Sequence, residues 1–405
     1  MVHVKHLNSE NGSSMSKFKV RVYNKIAESG ISKLTQFCNV STDSPDPEAI
    51  VLRSHKLHGM TINPELLAIG RAGAGVNNIP VDHCTDDAVV VFNAPGANAN
   101  AVKELVFMGM LLSSRDVLGG LNFVKSLPVD SALGEQVEKN KSRFGGEELQ
   151  GKSLGVIGLG AIGSMVANTA VDFGLKVYGL DPFISINWAW SLSPQVRRVE
   201  SIKALLKKVD YISLHVPSTP DTKAFFNASI MADMKPGTVV LNFARPDIVD
   251  ESDMADALNN NRIKQYLTDF PSETLVENPS VVSIPHLGAS TREAEENCAI
   301  MIANQMEDFL KLGNITNSVN YPTCALEPSG KNRLAITNDN IPNIIGQVTS
   351  ILANHGLNIS EMVNKSRGNI AYTLIDLDGD LSASLVNEIT ALTGVKRVRL
   401  LSLID

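Results

Sequence analysis

Short apolar runs recur along most of the chain, separated by segments whose apolar residues follow the helical period. Continuous apolar runs of this kind are typical of strands buried on both faces of a parallel sheet. Because the runs alternate with helical segments, the pattern predicts an α/β fold with a doubly wound parallel sheet. The predicted strands are Lys17–Tyr23, Ala49–Arg53, Ala88–Asn93, Leu154–Ile157, Lys176–Leu180, Tyr211–Val216, Thr238–Ala244, Ile263–Thr268 and Val281–Pro285.

The last part of the chain follows a different order. Thr323–Lys331 contains the turn formers Pro328, Ser329 and Gly330 and predicts a linker. Beyond it, strands and helices follow the order βαββαβ, which is the small ferredoxin-like pattern. The predicted elements are strand Arg333–Thr337, helix Ile344–His355, strands Ile359–Ser366 and Asn369–Asp376, helix Ser382–Ala391 and strand Val395–Leu403.

Three longer segments connect the predicted strands. Ala99–Leu118 is so apolar at helical spacing that we expect a helix buried in a core or a subunit interface. Asn122–Gly146 is more polar, and we expect it to cross between domains. Glu293–Lys311 is a long helix that we expect to return the chain to the first domain.

A glycine-rich loop lies between two of the apolar runs. Gly158-Leu159-Gly160-Ala161-Ile162-Gly163 follows one run and opens a helical segment, and Asp181 ends the next run. This context makes it a dinucleotide-binding fingerprint. Gly158 permits a tight turn, Gly160 lets the backbone approach a pyrophosphate and Gly163 allows close helix packing, while N–H groups at the helix start, with Ala161 and Ile162, hold the phosphates. Asp181 favours NAD over NADP because it would bind the adenosine ribose and repel a 2′-phosphate. The alternative is an ordinary βα turn.

Polar residues recur where the predicted strands end. In an open parallel sheet the carboxyl ends of the strands line the ligand crevice, so we expect these residues to converge in space. We interpret His215 as a wall of the cofactor site and Asp269 as a partner of the nicotinamide amide. The other cofactor-binding candidates in this set are Val216, Pro217, Ala244 and Gly288.

Arg245, Glu273 and His286 are the candidates for catalysis. A histidine with a carboxylate partner is an acid–base group that works near neutral pH. An arginine beside them would clamp a substrate carboxylate with two hydrogen bonds and polarise the adjacent carbonyl. Together with a nicotinamide, the set indicates hydride transfer between a 2-hydroxy acid and a 2-oxo acid. Taken singly, each residue also has an ordinary structural explanation.

The residues after the second predicted strand are suited to an anion. Arg53 and Ser54 end that strand, and the loop Gly73-Ala74-Gly75 lets a ligand approach the backbone closely. The alternative is a basic cluster on the surface.

Composition excludes several classes of protein. The 405 residues include 43% hydrophobic and 20% charged residues, as in an ordinary globular protein, and the formal net charge of −7 argues against a nucleic-acid partner. The four cysteines form no C-x-x-C pair, so neither a metal site nor disulfides are predicted and a reducing cytoplasm is expected. No segment is long enough to span a membrane, and the polar residues 1–16 are expected to form a disordered leader.

The motifs at Gly158–Gly163, Asp181, His215–Pro217, Arg245, Asp269/Glu273 and Pro285–Gly288 together resemble the D-2-hydroxyacid dehydrogenases. Within that family the chain is similar to the members that oxidise 3-phospho-D-glycerate with NAD in serine biosynthesis. The resemblance implies a catalytic set of Arg245, Glu273 and His286. It also implies that Arg53, Ser54 and Gly73–Gly75 hold the phosphate and carboxylate of the substrate, and it implies homodimers or homotetramers.

The resemblance further implies a division into domains. A flavodoxin-like substrate domain is expected over 17–98 plus 287–321, a Rossmann NAD-binding domain over 99–286, a linker over 322–331 and an ACT regulatory domain over 332–405. Asn338, Asn340 and Asn358 correspond to positions that bind L-serine in inhibited relatives, so serine is a candidate effector. The alternative is an ACT domain that serves only assembly.

The chain departs from the family pattern after its arginine. Pro246 and Asp247 follow Arg245, where glycine is usual, and the segment from Asp269 to Glu273 is one residue shorter than the common pattern. Two alternatives to the phosphorylated substrate stay open. One is a reductase of hydroxypyruvate, glyoxylate or 2-oxoglutarate, and the other is a corepressor-like regulator that senses NADH.

Overall fold

A computed structural model describes residues 2–4, 17–379 and 381–403 of the chain. The Cα positions divide into two compact units. The first unit comprises Met1–Ala97 and Glu295–Asp405, and the second comprises Asn98–Ala294. Among the described residues, no helix is long and apolar enough to cross a membrane.

The elements are numbered in chain order. The strands are β1 Val2–Val4, β2 Phe18–Val22, β3 Cys38–Ser41, β4 Ala49–Leu52, β5 Ala68–Arg71, β6 Val90–Phe92, β7 Ser153–Ile157, β8 Lys176–Leu180, β9 Arg197–Arg198, β10 Tyr211–Leu214, β11 Thr238–Asn242, β12 Ile263–Thr268, β13 Val281–Ser283, β14 Asn332–Asp339, β15 Ile359–Arg367, β16 Ile370–Leu377 and β17 Val395–Ser402. The α-helices are α1 Glu28–Phe37, α2 Val81–Asp86, α3 Ala99–Ser114, α4 Val117–Ser126, α5 Leu133–Asn140, α6 Ala161–Asp172, α7 Ile186–Ser191, α8 Ile202–Leu206, α9 Ala228–Met231, α10 Glu251–Asn259, α11 Arg292–Leu312, α12 Ile344–Asn354 and α13 Ala383–Thr390. Two short 3₁₀ helices are Lys141–Phe144 and Pro246–Ile248.

The first unit contains a five-stranded parallel sheet of order β3-β2-β4-β5-β6. Numbered from β2, this is the order 2-1-3-4-5 of flavodoxin-like folds. Strands β4 and β6 are buried along their whole length because helices cover both faces of such a sheet. The sheet confirms the predicted α/β class, although the sequence pattern had not predicted β3 and β5 as strands.

A second sheet of the first unit has the order β1-β17-β14-β16-β15. Its last four strands pair antiparallel in the βαββαβ arrangement, as predicted. Helices α12 and α13 pack on one face through Val348, Leu352 and Ile389. The other face contributes Tyr372 and Leu374 to the core that also contains β2 and α11.

The predicted disordered leader is wrong for residues 2–4, which form β1 and pair in parallel with β17. The remainder of that prediction, residues 1 and 5–16, lies outside the described residues. The predicted linker is packed, because Cys324 and Leu326 are buried and Ile315 pairs with Cys324 in an antiparallel bridge. The C-terminal sheet therefore shares a hydrophobic core with the parallel sheet of the same unit.

The second unit contains a seven-stranded parallel sheet of order β13-β12-β11-β10-β7-β8-β9. Numbered from β7, the order is 3-2-1-4-5-6-7, so the strand order reverses between β7 and β10. This is the doubly wound Rossmann arrangement, whose ligand crevice lies at the reversal. Residues 122–146, which we expected to cross between domains, instead belong to this unit and include α5 and the second half of α4. The prediction was wrong because polarity alone does not distinguish an exposed helix from a crossing segment.

Candidate active site

The glycine loop after β7 has the geometry that its fingerprint predicts. Gly158 has a φ of +90°, and a β-carbon there would lie 2.6 Å from the carbonyl oxygen of His215. A β-carbon at Gly163 would lie 1.9 Å from the carbonyl oxygen of Gly158, so α6 packs directly on the loop. At Gly160 no atom of the described residues comes within 4 Å of the β-carbon position. The loop therefore leaves open space beside Gly160, and the N-terminus of α6 begins there at Ala161 and Ile162.

Asp181 follows β8 and supports the glycine loop. Its Oδ2 accepts a hydrogen bond of 2.8 Å from the N–H of Leu159, and its Oδ1 accepts one of 2.8 Å from the N–H of Phe183. Each carboxylate oxygen has a further lone pair. The side chain is thus fixed in position and still offers acceptors for ribose hydroxyls.

His215 follows β10, and its imidazole ring is largely enclosed by protein. Its Nε2 lies 2.8 Å from the hydroxyl of Ser213, and its Nδ1 is buried without a hydrogen-bond partner in the described part of the chain. Burial lowers the pKa of His215 to about 3, so the ring is neutral at physiological pH. Val216 and Pro217 continue from this strand end toward the surface. The arrangement agrees with the interpretation of His215 as part of a wall.

Arg245 follows β11 in extended backbone, as expected for a residue before proline. The buried amide of Asn242 donates to the carbonyl oxygen of Arg245 at 2.9 Å and accepts from the N–H of Ala244 at 3.2 Å. The guanidinium donates to the carbonyl oxygen of Ala244 at 2.6 Å. Pro246 begins a short 3₁₀ helix, so the unusual Pro-Asp sequence is accommodated in an ordered turn.

Asp269 follows β12 and is fully buried. Its Oδ2 accepts a hydrogen bond of 3.0 Å from the N–H of Gly288, while its Oδ1 has no partner among the described residues. Burial raises the pKa of Asp269, and the Gly288 N–H and the charge of His286 act against that rise. The imidazole of His286 packs edge-on against Phe270 with 4.9 Å between ring centroids. The structure therefore brings Asp269, Phe270, His286 and Gly288 together.

Glu273 is not part of this group. It lies exposed in the turn after β12, and neither a hydrogen bond nor an ion pair joins it to His286, although both residues are described. The pairing of Glu273 with His286 stays a prediction. The carboxylate that acts electrostatically on His286 is instead that of Asp269.

The anion-binding candidates lie in the first unit, at the carboxyl ends of β4 and β5. The N–H of Ser54 donates to the Asn24 side chain at 3.1 Å, and the Asn78 side chain donates to the Arg53 carbonyl oxygen at 3.3 Å. Arg71, which the sequence pattern did not select, donates from Nε to the same carbonyl at 3.1 Å. A strand that ends in arginine directly before a glycine loop was the signal that could have identified it.

The Gly73–Gly75 loop lies beside these arginines. The N–H of Ala94 donates to the Gly73 carbonyl oxygen at 3.0 Å, and the Asn93 side chain donates to the Ala74 carbonyl oxygen at 2.6 Å. A β-carbon at Gly73 would lie 2.4 Å from Nη1 of Arg71. The loop is therefore held close to β6, and the guanidinium of Arg71 lies directly against Gly73.

The three effector candidates are not gathered by one chain. Asn338 is buried near the end of β14, and the Asn340 side chain donates to the Gly368 carbonyl oxygen at 3.0 Å. Asn358 precedes β15, whose first residue pairs with Leu377, and Leu377 pairs with the first residue of β14. Asn358 therefore lies at the opposite end of the sheet from Asn338 and Asn340.

The residues of the second unit fit a dinucleotide. The open space at Gly160, the N-terminus of α6 and the fixed carboxylate of Asp181 are the features that hold a pyrophosphate and a ribose. The unpartnered Oδ1 of Asp269 is a buried acceptor for an amide N–H. These features lie at the carboxyl ends of parallel strands.

Comparisons with known proteins agree with this geometry. Residues 121–288 match the family model of the NAD-binding domain of D-isomer specific 2-hydroxyacid dehydrogenases. A D-3-phosphoglycerate dehydrogenase of Haemophilus influenzae is 32% identical over 350 residues, which cover 84% of this chain and 82% of the relative. One from Methanocaldococcus jannaschii is 37% identical over 273 residues, but the chain spans only 50% of its length.

A solved structure shows the same fold. The crystal structure of an NAD⁺-bound 3-phosphoglycerate dehydrogenase of Entamoeba histolytica superposes with a TM-score of 0.56 at 25% sequence identity. The superposition covers 75% of this chain and 99% of that one.

Proposed function

The chain belongs to the D-isomer specific 2-hydroxyacid dehydrogenase family of NAD-dependent oxidoreductases, and on that basis we propose that it oxidises 3-phospho-D-glycerate to 3-phosphooxypyruvate, the first step of phosphorylated L-serine biosynthesis. The observation that carries the proposal is the pair of arginines, Arg53 and Arg71, at adjacent strand ends of the first unit. Two guanidinium groups bind a phosphate group more favourably than they bind an uncharged group of a substrate. Ser54 and the Gly73–Gly75 loop, whose small residues let a ligand approach the backbone closely, complete this subsite.

The catalytic steps are assigned to residues of the second unit. Arg245 binds the substrate carboxylate and polarises the neighbouring C2 oxygen. His286 accepts the hydroxyl proton as the hydride leaves C2, and it returns a proton in the reverse direction. NAD, when bound, supplies the hydride acceptor. The buried carboxyl of Asp269 orients the nicotinamide amide and interacts electrostatically with His286.

Glu273 keeps its predicted role within this proposal. It would support His286 only after the turn that follows β12 moves, because the two side chains form no ion pair as described. In the proposed cofactor site the ligands are Gly158, Gly160, Gly163, Asp181, His215 to Pro217, Ala244 and Gly288.

A second function is favoured by one observation. Glu295 forms an ion pair with Arg53. A substrate that leaves this pair closed meets a partly neutralised subsite, which suits an unphosphorylated 2-oxo acid such as hydroxypyruvate, glyoxylate or 2-oxoglutarate, whereas a phosphorylated substrate has to displace Glu295. Nothing comparable favours a regulator that senses NADH.

Steady-state assays distinguish these functions. We would measure NAD reduction with 3-phosphoglycerate and NADH oxidation with 3-phosphohydroxypyruvate and with unphosphorylated 2-oxo acids. The proposal expects turnover of the phosphorylated pair that is lost in His286→Ala and impaired through KM in Arg53→Ala. Turnover of only the unphosphorylated acids would mean that the substrate is an unphosphorylated 2-oxo acid. A protein that binds NADH without any turnover would support the function of a regulator.

Assembly and regulation belong to the same proposal. Helix α4 exposes Val117, Leu121 and Val124 on one face and buries none of its residues, so we propose that it forms a homodimer contact.

The C-terminal βαββαβ segment would be an ACT domain that binds L-serine. A serine site that uses all three asparagines requires Asn358 from a second copy. Inhibition of turnover by millimolar serine tests whether serine is an effector. A cytoplasmic location is expected from the four buried free cysteines, all within the described residues.

A further inference from the structure

The anion subsite of the first unit contains a carboxylate of its own. Glu295 lies on α11, and its Oε1 is 2.6 Å from Nη1 of Arg53. The two side chains are 41% and 34% exposed, so water reaches both of them. Exposed ion pairs of this kind contribute little to stability and open readily. The contact therefore matters for what binds Arg53 and adds little to the stability of the fold.

Arg71 is held beside this pair. Its Nε donates to the Arg53 carbonyl oxygen at 3.1 Å, and its guanidinium lies against Gly73, where a β-carbon would approach it to 2.4 Å. Arg53 therefore has a second guanidinium-bearing side chain bonded to its own backbone.

The thiol of Cys298 is influenced by all three charged groups. It lies one helical turn after Glu295, and burial raises the pKa of its thiol. Arg53 and Arg71 act against that rise, and Glu295 adds to it. The three charged groups are thus within electrostatic reach of a single buried atom, and their formal charges sum to about +1.

The charges determine which ligands displace Glu295. An incoming anion competes with the carboxylate of Glu295 for Arg53 and is repelled by it. A phosphate dianion interacts with both guanidinium groups, so its electrostatic attraction to the subsite is stronger than that of a single carboxylate. A neutral hydroxymethyl group has no such attraction to Arg53, so it leaves the ion pair closed.

We propose that Glu295 is a specificity-determining residue that occupies Arg53 until a doubly charged distal group of the substrate displaces it. The inference rests on the proposed function for the identity of the distal group as a phosphate. It goes further in assigning a competing carboxylate to the subsite, which lowers its affinity for phosphate and restricts it to dianions.

Inorganic phosphate is the first probe, because its binding measures the affinity of the subsite without catalysis. The measurement is the rise in the midpoint of thermal unfolding with phosphate concentration for wild type, Glu295→Gln and the matched control Glu293→Gln. Glu293 lies on the same helix and pairs with Arg292 instead. We expect Glu295→Gln to bind phosphate about two- to fivefold more tightly, as the loss of one exposed charge contact implies, and Glu293→Gln to match wild type. Equal phosphate affinity in all three proteins would overturn the proposal.

The double variant Arg53→Ala/Glu295→Gln tests whether the effect passes through Arg53. Tighter binding that is lost in this variant supports the proposal, and tighter binding that persists contradicts it. The Glu295→Asp variant keeps the charge, and it should stay within about twofold of wild type. Unfolding midpoints without phosphate show whether each variant is folded.

Kinetics provide the second readout. In Glu295→Gln the KM for 3-phosphoglycerate should fall by about the same factor, with kcat within twofold of wild type. If no variant turns over 3-phosphoglycerate but the phosphate result holds, the proposed substrate fails and the role of Glu295 stands. If turnover occurs and KM is unchanged in Glu295→Gln, the role of Glu295 fails and the proposed function stands.

Discussion

The carboxylate of Asp269 accepts a hydrogen bond from the backbone N–H of Gly288 at 3.0 Å, which joins the end of β12 to the residues directly after His286. A β-carbon at Gly288 would lie 3.2 Å from the same oxygen. The two segments are far apart in the sequence and carry the proposed acid–base group and the proposed amide acceptor. This contact extends the pairing of β12 with β13, in which the N–H of Ile284 donates to the carbonyl oxygen of Thr268 at 3.0 Å.

Asp269→Asn tests the pH dependence of this contact. Because burial raises the pKa of Asp269, the folded state holds its proton more tightly than the unfolded state does. The contribution of this group to stability is therefore present at low pH and decreases as pH rises through the raised pKa. We expect the variant to gain stability relative to wild type between pH 4 and pH 7, measured by thermal unfolding without cofactor. A constant difference across that range would contradict the assignment, and kcat should fall by at least tenfold.

Gly160→Ala separates cofactor binding from folding. The backbone at Gly160 has a φ of −72°, and space is open at its β-carbon position, so the free protein should be as stable as wild type. The methyl group would occupy the space proposed for the pyrophosphate, and NAD affinity should fall more than tenfold by calorimetry. Gly163→Ala is the contrasting variant, since its β-carbon meets Gly158 and should lower the unfolding temperature as well. Unchanged NAD affinity in Gly160→Ala would remove the loop from the cofactor site.

Asp376→Ala tests the buried ion pair of the C-terminal sheet. Arg333 and Asp376 are both fully buried and form two hydrogen bonds, of 2.5 and 2.8 Å. Removing one partner leaves an unpaired buried charge, so we expect a loss of about 3–5 kcal/mol in the free energy of unfolding. Urea denaturation measures it, with Asp378→Ala as the surface control. A loss below about 1 kcal/mol would mean that water reaches Arg333.

Arg397→Met tests the attachment of the C-terminal sheet to the first sheet of the same unit. Its guanidinium donates to the carbonyl oxygens of Leu66 at 2.7 Å, Asp87 at 3.1 Å and Pro64 at 3.3 Å. Methionine fills similar space but leaves these acceptors unsatisfied, so about 1–3 kcal/mol of stability should be lost. The neighbouring Lys396→Met is the control and should change stability by less than about 0.5 kcal/mol. Equal effects of the two changes would argue against the docking.

Leu121→Glu tests the proposed subunit contact. Leu121 is half-exposed on α4, and a charge in a buried apolar contact disrupts association. We expect the variant to have half the mass of wild type by light scattering, with little change in secondary structure. Val129→Glu, at a side chain that is 97% exposed, should leave the mass unchanged. A wild-type protein that is already monomeric would refute the contact.

The sequence by itself determined the features that are local. Apolar runs identified most strands of both parallel sheets, and the βαββαβ order of the C-terminal segment is recovered with boundaries that differ by a few residues. The glycine loop was also predictable, because its function depends on backbone geometry within a few residues. Strands β3, β5 and β9 were missed because they are short, and β3 and β9 also carry polar residues.

Only the tertiary structure decided which distant side chains meet. It places Asp269 and not Glu273 in electrostatic contact with His286, Glu295 against Arg53, and Asn358 away from Asn338 and Asn340. It also packs the predicted linker and the C-terminal sheet into the core of the first unit. Hydrophobic periodicity states which face of an element is buried but not which element covers it. Pairings across the fold follow from packing between elements, and a single sequence does not carry that information in its local pattern.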